Sequence, residues 1–323
     1  MMQNTVAAMV PLTKTALRLT SVFVGWLLVL VLTAPALAVS TNLSPVADTT
    51  LSEGYPGNNF GGMTFANSGT TQNFTRNRAL FRFDLAGVVP GGSSITSARL
   101  ILEVTGEPAD GYAFADFGLH RLLVPWSEGT KTNASPSGAG QGSPASTNEA
   151  TWFYRFAFTT NTWSAPGAAA TSDYVAAPSA AVTVYGLNDS PYYFGSTAQT
   201  IADVQLWLDD PQTNFGWILV CQAETTDFTA RRFGSRENAN FPPQLEIEYL
   251  VAPVIDRVEK NGSQFSFQFT AQPSQSYTIE YRDALGAGGW QTSASAGPFT
   301  EPIRVLFVDT TLAPGRFYQV VTY

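Results

Sequence analysis

The sequence predicts an all-β protein of two domains, on three observations. Runs of apolar and polar residues alternate with period two from Leu43 to Tyr249 and again beyond Leu250. Glycine and proline break those runs at YPGNNFGG (55–62), VPGG (89–92), APG (165–167) and FPP (241–243), all of which read as turns. Helical spacing occurs in one short segment, and one helix among about ten strands leaves the class all-β.

The first 38 residues stand outside that fold. Lys14 and Arg18 precede an apolar run from Val22 to Leu32, and Ala36-Leu37-Ala38 follows. That order predicts a secretory signal peptide over 1–38, cleaved after Ala38. A run of 11 residues is short of the about 20 that a spanning helix needs. No cysteine follows for a lipid anchor, and no second apolar segment appears, so the mature chain is expected to be secreted or surface-exposed without membrane insertion. Cleavage takes Lys+Arg from 17 to 15 against 25 acids, a net charge of −10. So acidic a chain argues against nucleic-acid binding, which needs a basic face for phosphates. Cys221 is the single cysteine, so no internal disulfide forms, and in GWILVCQAE it reads as a buried thiol.

The strands follow in order. TRNRALFRFDL (75–85) sets Ala79, Phe81, Phe83 and Leu85 on one face and Arg76, Arg78, Leu80, Arg82 and Asp84 on the other. The arginines there are framework, paired to acids such as Asp84 or a glutamate of a neighbouring strand, or a ligand surface centred on Arg78 and Arg82. SARLILEV (97–104) points Ala98, Leu100, Leu102 and Val104 inward, and QLEIEYL (244–250) does so with Leu245, Ile247 and Tyr249. WILVC (217–221) is apolar on both faces and suits a central strand. In TIADVQLWLDD (200–210) Ile201, Val204 and Leu208 recur at helical spacing, Thr200 and Asp203 sit as a capping box, and Pro211 ends the helix. KTNASPSGAGQGSPASTNE (131–149) reads as a mobile surface insertion, because strand-like sequence resumes at Thr151. Beyond 250, FSFQF, YTIEY, RVLFV and FYQVV predict a small immunoglobulin/fibronectin-like sandwich over 251–323.

ADTTLSEGYPGNNFGG, NRALFRFDLAGVVPGGSSITSARLILEV, LHRLLVPWSEGT, NEATWFYRF with NTWSAPGA, DVQLWLDDPQTNFGWIL and FGSRENANFPPQLEIEY occur in that order. Together they resemble the DNRLRE domain of secreted and surface proteins, a family overlapping carbohydrate-binding module family 96. The likeness covers about 47 to 250 and places a DNRLRE-like domain at 39–250. It implies a jelly-roll-like β-sandwich, an accessory role with polysaccharide binding in some members, and no catalytic machinery. The hexapeptide that names the family is only partly present, as NRALFR at 77–82, and the 131–149 insertion lengthens one connection.

The chemistry-bearing residues agree with a non-enzyme. His120 is the only histidine, without a G-x-S-x-G elbow to serve and without a second histidine for a metal site. Glu128 and Glu237 are candidates for paired carboxylates, but both are explained more simply as turn or ion-pair residues. Asp48 and Asp84, with the turn from Glu53 to Asn59, offer oxygen ligands for a structural calcium, the one cofactor considered. Aromatic candidates for stacking on sugar are Trp126, Trp152, Tyr154, Trp163, Tyr192 and Tyr193, with Trp163 in NTWSAPG and the pair Tyr192-Tyr193 after Pro191 the ones expected near a loop surface. Arg231-Arg232 and Arg236 form a second basic cluster. If their strand lies beside 76–85, Arg78, Arg82 and Arg232 make one basic face for uronate-containing or sulfated glycans. The function expected is polysaccharide binding by a secreted accessory protein; the alternative is a structural or adhesive envelope protein.

Overall fold

The structure, a computed structural model, describes residues 8–10, 38–133, 140–284, 288–310 and 315–322. It is mostly β and divides into two compact units: Ser40–Val89 with Ile95–Glu248, and Tyr249–Tyr323 with Pro90–Ser94 and Met1–Val39. The boundary near 250 falls where the sequence pattern changes, with Pro90–Ser94, which follow Val89 of the VPGG turn, counted in the second unit. Most of the expected signal peptide lies outside the described residues. Within it Ala8–Val10 pairs antiparallel with the strand Ile303–Asp309.

The larger unit holds an eight-stranded curled sheet and a four-stranded sheet. The four-stranded sheet runs Tyr192–Gly195, Ser94–Leu102, Gln244–Leu250, Val39–Leu43. Its alternating residues Ala98, Leu100, Leu102, Leu245, Ile247 and Tyr249 are buried, as their period predicts. In the larger sheet Trp217–Cys221 lies between Ala115–Arg121 and Arg76–Phe83, and all five of its residues are buried. Phe83 meets Trp217 edge-on at 6.4 Å, and Phe117 meets Phe233 at 5.8 Å. Aromatic pairs of this kind each bury about 150–250 Å² per ring and dominate the core.

The helix is Ala198–Asp209, two residues earlier than predicted at its start. Thr197 is its cap: the Thr200 amide donates to the Thr197 hydroxyl at 3.0 Å, and the Thr197 amide donates to Thr200 Oγ1 at 2.9 Å. Thr200 is therefore the inner half of the box, and Asp203 does other work. Asp203 is buried and accepts from Ser179 Oγ (2.5 Å), Trp217 Nε1 (2.9 Å) and Gln199 Nε2 (3.0 Å). It fastens the helix to the central strand.

One segment covers the sheet without contributing a full strand to it. Between Arg121 and Ala180 the only strand among the described residues is the pair Ser143–Pro144, which bonds to Asn58–Asn59. This segment brings Trp126, Trp152, Trp163 and Tyr174 over Leu51, Leu80 and Ile218 as a buried roof. The middle of the 131–149 insertion, 134–139, lies outside the described residues. Its flanks are tied down: Asn133 Oδ1 accepts from the Gly140 amide at 3.0 Å, and the Lys131 carbonyl from the Gly62 amide at 2.9 Å.

The second unit is a small sandwich. One sheet orders Ile255–Asn261, Gln264–Ala271, Ile303–Asp309, and the other Gln291–Ala296, Tyr277–Arg282, Phe317–Thr322. Phe267, Phe269, Tyr277, Ile279, Val305 and Phe307 close between them, with Phe265 stacked on Tyr318 at 4.8 Å.

Candidate binding cleft and carboxylate cluster

The arginine strand resolves first, and it is not a wet face. The roof buries Arg78 and Leu80 in the middle of Arg76–Phe83 as the core buries the other face, while Arg76 and Arg82 towards its ends are half-buried. Arg78 is 7% exposed. Its Nε and Nη2 donate to both oxygens of Glu224 at 2.7 and 2.6 Å, and its Nη1 donates to the carbonyls of Gly167 and Ala168 at 2.8 and 2.6 Å. Arg76 grips Glu53 in the same two-pronged way, at 2.9 and 2.7 Å. Arg82 does not pair with Asp84; it lies 5.6 Å over the Trp126 ring. Asp84 is exposed and accepts from the Ala86 amide at 3.0 Å. Arg78 is therefore framework, with four of its five N–H donors committed to the protein.

The other expected ligand contacts divide. Trp163 is buried in the roof and donates from Nε1 to the Thr151 carbonyl at 2.9 Å. Tyr192 is also buried, its hydroxyl accepting from the Tyr185 amide at 3.1 Å and donating to the Gly186 carbonyl at 2.7 Å. Large aromatics near turns can be anchors as easily as platforms, and both of these are anchors. Arg232 is the one candidate that reaches an open site. The single basic face does not form: Arg232 stands opposite Asn67 and Gly106, over the Phe65 ring at 4.4 Å, whereas Arg78 points into the roof.

That open site is a cleft of about 340 Å³, whose walls include Ser52, Asn67, Asn77, Glu107 and Arg232. Register assembles it. Asn77 pairs with Ser52 on one side and Gly69 on the other, and Asn67 pairs with Arg232, which pairs in turn with Gly106. Directly paired residues share a face, so these side chains line one side of four strands. Gly106 and Gly140 leave room for the Arg232 side chain, since a Cβ there would stand 3.2 Å from its Cδ and 2.7 Å from its Nη2. Asn77 and Ser52 are each 4% exposed and line the cleft. Tyr55, exposed, stands at the rim. Sequence reading found Arg232 but missed the asparagines, which look like ordinary strand polars until the register gathers them.

A second feature is a group of three carboxylates. Asp48, Glu128 and Glu237 bring one oxygen each to within 4.8 Å of the others. The Asp48–Asp84 pairing does not occur; the calcium expectation moves to a different pair of partners. Arg236 binds the group together: its Nε and Nη2 donate to the two Glu128 oxygens at 2.7 and 2.8 Å, and its amide donates to Asp48 Oδ2 at 2.7 Å. Glu237 is 3.0 Å from the same guanidinium. Burial holds the Asp48 carboxyl well above the usual carboxylate range; the nearby Glu237 and Glu128 charges push the same way, and the Arg236 amide and guanidinium oppose them. Burial likewise raises Glu128 against its bonds from the Asp48 amide and Arg236. Three acids around one cation can hold an extra proton or a cation with oxygen preference.

His120 and Cys221 are structural. His120 Nδ1 donates to the Val175 carbonyl at 2.9 Å, and burial lowers its pKa. Burial raises that of the Cys221 thiol. No helix among the described residues is long and apolar enough to cross a membrane. A scan against protein-family models finds no match to the chain, and a search of curated proteins finds none either.

Proposed function

We propose that the protein is an exported, non-catalytic accessory protein whose larger domain binds polysaccharide in the cleft between Ser52, Asn67, Asn77, Glu107 and Arg232. The observation that carries this reading is the strand register that gathers Ser52, Asn67, Asn77 and Arg232 on one face of an open cleft. Sugar hydroxyls are bidentate donor–acceptor groups, and amides with a guanidinium are the side chains that match them. Arg232 at the wall favours glycans carrying carboxylate or sulfate. The resemblance of residues 47–250 to the DNRLRE domain family agrees with this reading.

Affinity electrophoresis of the mature chain through gels containing alginate, polygalacturonate, xylan or mannan tests it. Retardation by at least one polysaccharide is expected, lost in Asn67→Ala and Arg232→Ala with melting temperature unchanged. Free migration through every gel overturns the binding reading and leaves the structural or adhesive one.

A further inference from the structure

Exposed aromatic side chains are scattered singly over most of the surface, as on any soluble protein. They gather in one place. Tyr112, Phe114 and Tyr185 are 44%, 64% and 46% exposed, and the Phe114 and Tyr185 rings lie 5.3 Å apart with planes 34° from parallel. The ladder between Ala115–Arg121 and Ala180–Val184 ends with Ala115 opposite Val184, one residue short of Phe114 and Tyr185, so it brings the two loops together without pairing the ring-bearing residues themselves.

Arg231 supplies the hold. It is 1% exposed, and its guanidinium sits 4.6 Å from the Tyr112 ring. Its Nε donates to the Tyr185 carbonyl at 2.8 Å, and its Nη2 donates to the Ala113 carbonyl at 3.0 Å. One buried cation thus ties the backbone beside Tyr112 and Phe114 to the backbone of Tyr185. Tyr192 fixes the second loop from beneath through the Tyr185 amide and the Gly186 carbonyl. Glu107 fixes it from the side, accepting from the Leu187 amide at 2.9 Å. Rings presented on a rigid frame lose little entropy on contact, which distinguishes a platform from loose surface hydrophobes.

The frame also joins this shelf to the cleft. Glu107 and Arg231 belong to the cleft wall and, through these bonds, to the mounting of the shelf. A chain lying in the cleft and leaving past Glu107 therefore meets Tyr112, Phe114 and Tyr185 next. We infer that this aromatic shelf is a second subsite, which stacks the apolar face of a pyranose ring while neighbouring sugars of the same chain occupy the polar cleft. The inference rests on the cleft reading and extends it: the ligand is an oligosaccharide longer than the cleft alone holds, and the shelf measures length. The charged groups stay at the cleft end, so the shelf accepts neutral and acidic sugars alike.

Disaccharides and hexasaccharides prepared from alginate and from xylan serve as probes, titrated calorimetrically into the full mature chain. Phe114→Ala and Tyr185→Ala are each expected to weaken hexasaccharide binding by about fivefold, and the double variant by more than about tenfold, from the contribution of ring contacts. Disaccharide binding stays at the wild-type value in all three, while Asn67→Ala weakens both lengths. Removing exposed rings leaves the fold intact, and unchanged melting curves verify that. Wild-type hexasaccharide affinity in the double variant, with loss in Asn67→Ala, overturns the shelf and leaves the cleft standing. Equal losses on the disaccharide and hexasaccharide also overturn it, because the rings then act on the cleft rather than beyond it. Failure of the wild-type chain to bind any of the four probes overturns the shelf, and free migration through every polysaccharide gel as well overturns both together.

Discussion

Arg78→Ala tests whether the arginine face is framework. In the folded chain the guanidinium makes two bonds to Glu224 and two to the Gly167 and Ala168 carbonyls, all between 2.6 and 2.8 Å. The Arg78 side chain is 9% exposed and that of Glu224 19%, so water reaches the site poorly once the cation is gone. Breaking a buried pair by removing one partner costs about 3–5 kcal/mol, chiefly from the charge left behind. The residual exposure of Glu224 softens that charge, whereas the two orphaned carbonyls add to the loss, so about 3–4 kcal/mol is expected. In a domain of this size that lowers Tm by about 6–16 °C. Urea unfolding at constant m measures it directly. Arg82→Ala is the internal control, because a half-buried cation 5.6 Å from the Trp126 ring contributes only about 0.5–1 kcal/mol. A loss below about 1 kcal/mol for Arg78→Ala, accompanied by abolished glycan retention, would refute the framework assignment.

Two further tests concern protons. Asp48 has a raised pKa in the folded state, so its contribution is complete below the unfolded carboxylate value and is lost as pH rises through the folded one. Asp48→Asn should therefore be more stable than wild type at neutral pH, with the advantage vanishing in acid; melting curves across pH 4–8 show whether it does. His120 has a lowered pKa, so stability should fall as pH drops below the ordinary imidazole value of about 6.5. With one histidine in the chain, its ring resonance can be titrated alone, and in His120→Gln the slope in that range should disappear. A midpoint at or above 6.5 contradicts the burial argument.

Period-two patterning made the strands readable, and the burial of Leu245, Ile247 and Tyr249 follows it residue by residue. The C-terminal sandwich was legible for the same reason, since Phe265, Phe267 and Phe269 announce one inward face. Alternation, however, says only that two faces differ. It does not say that the second face of Arg76–Phe83 is roofed by residues 40 to 95 positions later in the chain. The partner of Arg78 is 146 residues away, and Glu224 had no local mark of that role. Trp163 and Tyr192 are not surface platforms, because a turn-flanking position does not fix exposure and both side chains are drawn inward by hydrogen bonds to backbone. Thr200 was placed one helical turn late as a cap, since the polar Thr197 also fits that role and only backbone geometry separates them. Asp48 was marked as an oxygen ligand, but its companions come from PWSEG and SREN, segments read separately for another chemistry.

The roof that hides the arginines has an order of assembly built into it. Its tryptophans rest on Leu51, Leu80 and Ile218, side chains of finished strands, and its carbonyls at Gly167 and Ala168 are received by an arginine that a strand must first present. A layer hung from another layer's side chains has nothing to attach to until that layer exists. Local opening should run the other way, with amide protons between residues 150 and 175 exchanging ahead of those in Trp217–Cys221. The arginines in the middle of an apolar strand are thus the hinge pins of a door that closes last and swings first.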